Sequence, residues 1–166
     1  MNKNKLLQLF EKKNIRYKLY NHSALFTVKD SIKMRGSIEG AHTKTLFLKN
    51  KKNEFFLISC LETTKVDLKK LKTSLNFGNI SFAKDHYLKN ILKLYPGSVT
   101  PYGLINDINN IVKYYFDSSL LNYKIINFHP LTNTSTVSLN TIDFLNFMKI
   151  KNKLVNILNF DNYTIT

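Results

Sequence analysis

The sequence is short of the residues on which many chemistries depend. Cys60 is the only cysteine, which excludes an internal disulfide and a cysteine-based zinc site. No run of about 18 apolar residues occurs, so no membrane-spanning helix is expected. Gly-x-Gly-x-x-Gly, the glycine-rich phosphate loop ending in Lys-Ser/Thr and the Gly-x-Ser-x-Gly nucleophile elbow are all missing, so dinucleotide, nucleotide and serine-hydrolase sites of those kinds are not expected. His22, His42, His86 and His129 have no metal-ligand spacing, and neither a metal nor a cofactor is expected. With Asp and Glu totalling 11, carboxylates are too sparse to favour a paired-acid mechanism. The basic residues include only two arginines, Arg16 and Arg35.

What is abundant is lysine. Lys and Arg total 25, for a net charge of +14 and a pI near 9.8. Such an excess suits a polyanion partner, and lysine suits backbone phosphate better than base edges. A general bias toward Lys, Asn and Ile would give the same excess without any partner. The 166 residues, 43% hydrophobic and 13% aromatic, fit one domain over 1–166 with a real core. The N-terminal stretch Met1–Lys5 lacks the apolar run and cleavage site of a signal peptide, so a cytoplasmic location is expected.

Hydrophobic periodicity predicts a helix over 5–13 and a strand over 16–20. Thr27 and Asp30 form a capping-box-like pair that starts a helix over 28–35. Strands at 43–48 and 54–60 flank a polar turn and predict a hairpin. Helices follow at 67–75 and 84–94, then a breaker-rich loop at 95–101. Strands are expected at 111–116, 124–128 and 135–139. Asn140 opens a helix whose apolar face carries Ile142, Leu145 and Met148. The segment 154–160 fits a strand or a helix. The order of elements predicts an α/β (α+β) fold: a mixed, partly antiparallel central sheet flanked by helices.

Three segments could carry chemistry. Lys44 interrupts a β-forming run, where it could point into a cleft or simply face solvent. Gly97-Ser98-Val99-Thr100-Pro101 joins a permissive residue to a stiff one, so its backbone N–H groups could hold an oxyanion, or it could be a plain connection. His129, before Pro130, could serve a site or act as a structural hydrogen-bonder.

In their order along the chain, these segments resemble the YbaK/prolyl-tRNA-synthetase-associated editing family. The resemblance rests on Asn21–Val28, on Gly40-Ala41-His42-Thr43-Lys44-Thr45-Leu46-Phe47-Leu48-Lys49, and on Gly97–Pro101 as a Gly-x-x-x-Pro loop. Pro101–Asp107, His129-Pro130 and Asn133-Thr134 are most similar to the free-standing alanyl-tRNA(Pro) deacylase branch. The resemblance covers residues 5 to 150 and departs at Thr45, where the family usually has Asn. It implies metal-free, cofactor-free hydrolysis of an aminoacyl ester at the 3′ end of tRNA(Pro) mischarged with a small amino acid, with prolyl-tRNA synthetase as a further partner.

By that resemblance Lys44 anchors a phosphate or polar group of the terminal adenosine. Gly97 and Ser98 belong to the loop that stabilises the carbonyl oxygen, and His129 positions the substrate. Phe26, Thr27, Val28, Met34, His42, Thr45, Val99, Thr100 and Pro101 would contact it, although Phe26, Val28 and Met34 would serve equally as core. The alternatives are a cysteinyl-tRNA(Pro) deacylase of the same family, a non-catalytic tRNA-binding or regulatory protein, and a general RNA-binding protein.

Overall fold

The computed structural model describes residues 1–24 and 38–166. Helix α1 (Lys3–Lys12) is capped by the Asn2 side chain, which accepts from the Lys5 N–H, and buries Leu6 and Phe10. Strand β1 (Tyr17–Asn21) follows. The helix expected over 28–35, and with it Phe26, Thr27, Val28 and Met34, lies outside the described residues. Strands β2 (Ala41–Asn50) and β3 (Phe55–Leu61) form the expected hairpin, antiparallel from Thr43↔Leu61 to Lys49↔Phe55. Asp67 caps helix α2 (Leu68–Ser74) by accepting from the N–H groups of Lys69 and Lys70. Strand β4 (Ile80–Phe82), too short to show a period, was not foreseen.

The helix expected over 84–94 is instead one α-turn, Asp85–Tyr87, continued by a π-helical turn, Leu88–Leu92. The wider turn ends at Lys93 in the left-handed region and lets Leu88, Leu92 and Leu94 all enter the core. A 3-10 turn (Pro101–Asn106) leads to β5 (Val112–Asp117); β6 (Ile125–Phe128) and β7 (Ser135–Asn140) come next. Helix α3 (Thr141–Ile150) starts at Asn140, whose side chain accepts from the Ile142 N–H. Its inward face differs from the expectation: Phe144, Phe147 and Met148 are buried, while Ile142 is 67% exposed. Two phenylalanines offer more apolar area than one isoleucine, and burying them turns Ile142 outward. The undecided segment 154–160 forms strand β8 (Val155–Asn159), and the chain closes with β9 (Thr164–Ile165).

Among the described residues the strands form one sheet in the order β1-β7-β6-β2-β3-β5-β8-β9, with β4 also on β2. The β2–β6, β3–β5 and β5–β8 pairs are parallel and the others antiparallel, so the sheet is mixed as expected. Side-chain alternation sends Val112, Tyr114 and Phe116 of β5 to one face and Tyr115 to the other. The larger core, under α1 and α3, is knit by Phe10 against Phe147 and Tyr102, with ring centroids 5.0 and 5.5 Å apart. The smaller core packs Leu48, Phe56 and Ile58 against Leu71 of α2, Phe77 and Tyr163.

Candidate active site

The site begins at a tight crossing. Gly40 has φ +94°, and a Cβ there would lie 2.5 Å from the Ile125 carbonyl oxygen. Only glycine lets β2 start flush against β6. Buried Asn127 locks the crossing: its Nδ2 donates to the carbonyls of Glu39 (2.9 Å) and Ala41 (3.1 Å), and its Oδ1 accepts from the Ser138 hydroxyl. The Thr43 hydroxyl donates to the Asn127 carbonyl at 2.5 Å.

Beyond this crossing one edge of β2 opens. That edge pairs with β6 only at Ala41 and His42, and with β4 only at Leu48, Lys49 and Asn50. The Phe47 carbonyl accepts from the Ala83 N–H at 2.9 Å. Lys44, Thr45 and Leu46 therefore have no strand partner on that edge among the described residues, and the gap is a place where an extended ligand can lie against the backbone.

The two central motif residues leave the gap in opposite directions. Lys44 pairs with Cys60 and shares the face of the smaller core, whereas Thr45 shares the opposite face with Ser59, their hydroxyls 2.9 Å apart. The Lys44 ammonium donates to the carbonyls of Glu62 (3.0 Å) and Thr64. An ammonium has three donors, so among the described residues one N–H remains for a ligand. Asp117, which the sequence reading did not single out, steadies this arrangement. It is buried, accepts from the Ser119 N–H (2.9 Å), and accepts from the hydroxyl of Thr64 (3.2 Å), whose carbonyl holds Lys44. Its only signal was a carboxylate closing an apolar strand.

Burial pushes the Cys60 thiol up to about 12, against a smaller lowering by Lys44. The thiol is protonated at neutral pH and is no nucleophile. His42, on the Lys44 face, has its Nε2 2.9 Å from the Ile38 carbonyl oxygen.

On the opposite face lies the Gly97–Pro101 loop. Gly97 has φ +83°. Ser98 staples the loop to itself: its hydroxyl donates to the Tyr95 carbonyl (2.8 Å) and accepts from the Tyr95 N–H (3.2 Å), while its own N–H donates to the Tyr95 carbonyl (3.0 Å). Ser98 thus rigidifies the loop. The N–H groups of Gly97, Val99 and Thr100 make no backbone hydrogen bond among the described residues, and they are the loop's remaining donors. Val99 packs on the larger core, Thr100 is buried, and Pro101 opens the 3-10 turn. Tyr102 then stacks edge-on against Phe128 with centroids 6.0 Å apart, which sets the loop beside the end of β6.

His129 follows Phe128. Its Nδ1 lies 3.0 Å from the Ser135 carbonyl oxygen, so Nδ1 carries the proton and Nε2 is an acceptor. Burial holds its pKa below the ordinary value; the Ser135 carbonyl opposes this, and the nearby His22 adds to it. The His22 ring is 6.1 Å from that of His129, with its Nε2 3.0 Å from the Thr136 hydroxyl.

Past the gap, a groove of about 410 Å³ runs along β4, lined among others by Lys49, Lys51, Lys84, His86 and Tyr87. The Lys49 ammonium sits 5.3 Å from the Tyr87 ring centroid. Among the described residues no carboxylate lines this groove. Among the described residues, no three His, Cys, Asp or Glu side chains gather as metal ligands, and no helix is long and apolar enough to cross a membrane.

The mixed sheet of this α/β protein thus carries a tethered ammonium on one face of β2 and a stapled Gly–Pro loop on the other. The model of the aminoacyl-tRNA editing domain matches residues 22–147. A bovine (Bos taurus) prolyl-tRNA synthetase associated domain-containing protein 1 is 36% identical over 152 residues, covering 89% of this chain and 88% of that protein. The prolyl-tRNA editing protein ProX of Acetoanaerobium sticklandii is 31% identical over 136 residues, 81% of this chain and 83% of that one. A crystal structure of a candidate trans-editing enzyme for prolyl tRNA synthetase superposes with a TM-score of 0.67 at 18% identity, over 93% of this chain and 95% of that one. The chain belongs to the aminoacyl-tRNA editing domain family, among its prolyl-tRNA editing members.

Proposed function

We propose that the chain, acting as one domain in the cytoplasm, hydrolyses the aminoacyl ester of tRNA(Pro) mischarged with a small amino acid, alanine foremost. The observation that carries this reading is the edge of β2 at Lys44–Leu46, which has no strand partner among the described residues. A single-stranded 3′ end crossing that edge would meet different chemistry on the two faces. The free Lys44 N–H takes a phosphate or polar group of the terminal adenosine. The N–H groups of Val99 and Thr100 take the carbonyl oxygen as it gains negative charge, which is worth about 10²–10³ in rate for one preorganised donor. Neutral His129 offers Nε2 to orient a hydroxyl or a water. The basic groove with Lys49 and Lys84 receives backbone phosphate beyond the terminus.

Alanine is the substrate that most needs such a site, because a pocket built for proline gains only about 1–3 kcal/mol against a ligand lacking a methylene. Prolyl-tRNA synthetase, which makes the mischarged product, is the natural source of substrate.

The test is hydrolysis of tRNA(Pro) charged in turn with alanine, cysteine and proline. Loss of alanine ahead of the other two supports the proposal. Preferential loss of cysteine moves the chain to the cysteinyl specificity, and no loss above the uncatalysed rate with tRNA binding intact makes it a binding protein.

A further inference from the structure

Four of the exposed large apolar side chains lie on two segments that meet beside the turn before β8. Ile150 and Leu154 flank the turn between α3 and β8 and are 51% and 78% exposed. Ile108 and Ile111, ahead of β5, are 86% and 48% exposed. Lys153 ties the two segments together, donating to the Asp107 carbonyl and to Asn110 Oδ1, both at 2.5 Å. Between α3 and β8 a groove of about 530 Å³ opens, with Leu145, Leu154, Val155 and Ile157 as its apolar lining and Lys149 and Lys153 as its charged lining. Among the described residues no carboxylate lines it. Neighbouring Asp107 is buried and spends its two oxygens on the N–H groups of Ile111 and Val112.

One exposed isoleucine is ordinary, but four large apolar side chains on two segments tied together by Lys153, with Leu154 also lining the groove, mark an interaction face. In the sheet β3 stands between β2 and the strands of this face. The face surrounds the starts of the parallel strands β5 and β8, where Val155 pairs with Tyr114 and Tyr114 with Leu57. Lys44 pairs with Cys60 toward the far end of β3. A ligand on the open edge of β2 leaves the face uncovered.

We propose that this face docks a protein partner through an amphipathic acidic segment, with its apolar side in the groove and its carboxylates on Lys149 and Lys153. The charge pattern selects this occupant. A second copy would set a lysine-rimmed face, with no carboxylate among its described lining residues, against itself, in a chain of net charge +14. A nucleic acid would gain its phosphate contacts but leave Ile108, Ile150 and Leu154 without partners. The proposal stands on this patch alone and does not depend on ester hydrolysis.

The probe is a fluorescein-labelled helical peptide with Leu at i, i+3, i+4 and i+7 and Glu on its other face; a second peptide carries Lys in place of Glu. Both are titrated into the full chain and into Leu154→Asp, Ile108→Asp and Lys149→Glu, whose folding is checked by thermal melting. The Glu peptide should saturate the unmodified chain and bind each variant at least about tenfold more weakly, and the Lys peptide should not saturate it. The proposal is overturned if the Glu peptide fails to saturate, if both peptides bind alike, or if the substitutions leave binding unchanged. It is also overturned if sedimentation shows a dimer of this chain that Leu154→Asp dissolves.

Discussion

Lys44 and His129 show how single side chains are set before any ligand arrives. Two carbonyls fix the Lys44 ammonium and, among the described residues, leave one donor over. Burial keeps His129 neutral, and the Ser135 carbonyl selects its tautomer. The depressed pKa of His129 has a consequence for stability. Near and below the ordinary value of about 6.5 the unfolded chain takes up a proton that the folded chain resists. The contribution of neutral His129 is therefore fully present above that value and is lost as pH falls through the lower folded pKa. Melting temperature against pH should fall on the acid side for the unmodified chain, and His129→Asn should flatten the fall; equal slopes would mean that His129 does not titrate as described. The residue-scale chemistry was partly legible. Lys44 and Gly97–Pro101 stand out because a charge in an apolar run and a Gly–Pro loop are local signals. Asp117 was not legible, because its link to Lys44 through Thr64 joins positions far apart in the chain.

Among the elements, β2 does most to shape the site, and its start depends on Gly40. Gly40→Ala combines an unfavourable positive φ with a Cβ 2.5 Å from the Ile125 carbonyl oxygen. It should cost more than about 1 kcal/mol in denaturant unfolding, and it should also slow any chemistry at the β2–β6 crossing. An unchanged midpoint would show that the crossing relaxes freely. The hairpin and the helix N-caps at Asp67 and Asn140 were readable, because strand period and capping chemistry are written within a few residues. The π-helical turn at Leu88–Leu92 and the inward face of α3 were not. Both depend on which of several apolar residues finds the better place in a core assembled from distant segments. Strand alternation implies that Lys44 and Thr45 face opposite ways, yet the gap that gives this its meaning comes from where β4 and β6 stop pairing, a non-local fact.

In the whole molecule, charge and sheet act together. The mixed sheet was readable from the order of elements, but the distribution of lysine was not, since a count of charge carries no position. The structure sets Lys49, Lys51 and Lys84 along one groove that continues from the open edge of β2, while Lys69, Lys70 and Lys72 lie exposed on α2. If the groove carries backbone phosphate, tRNA affinity should fall with salt as counterions are released, and Lys49→Ala and Lys84→Ala should each lower the slope of log affinity against log salt by roughly one. The same substitutions at Lys69 and Lys70 should lower it less; equal effects at the two places would argue for diffuse attraction. The measurement closest to the central claim is single-turnover hydrolysis of alanyl-tRNA(Pro) by the unmodified chain and by Lys44→Met, each first shown to be folded. A site at the open edge of β2 predicts a loss of about 10²-fold in Lys44→Met, because the ester is no longer held in place, with tRNA binding largely kept. A folded Lys44→Met that cleaves the ester at the unmodified rate would contradict it.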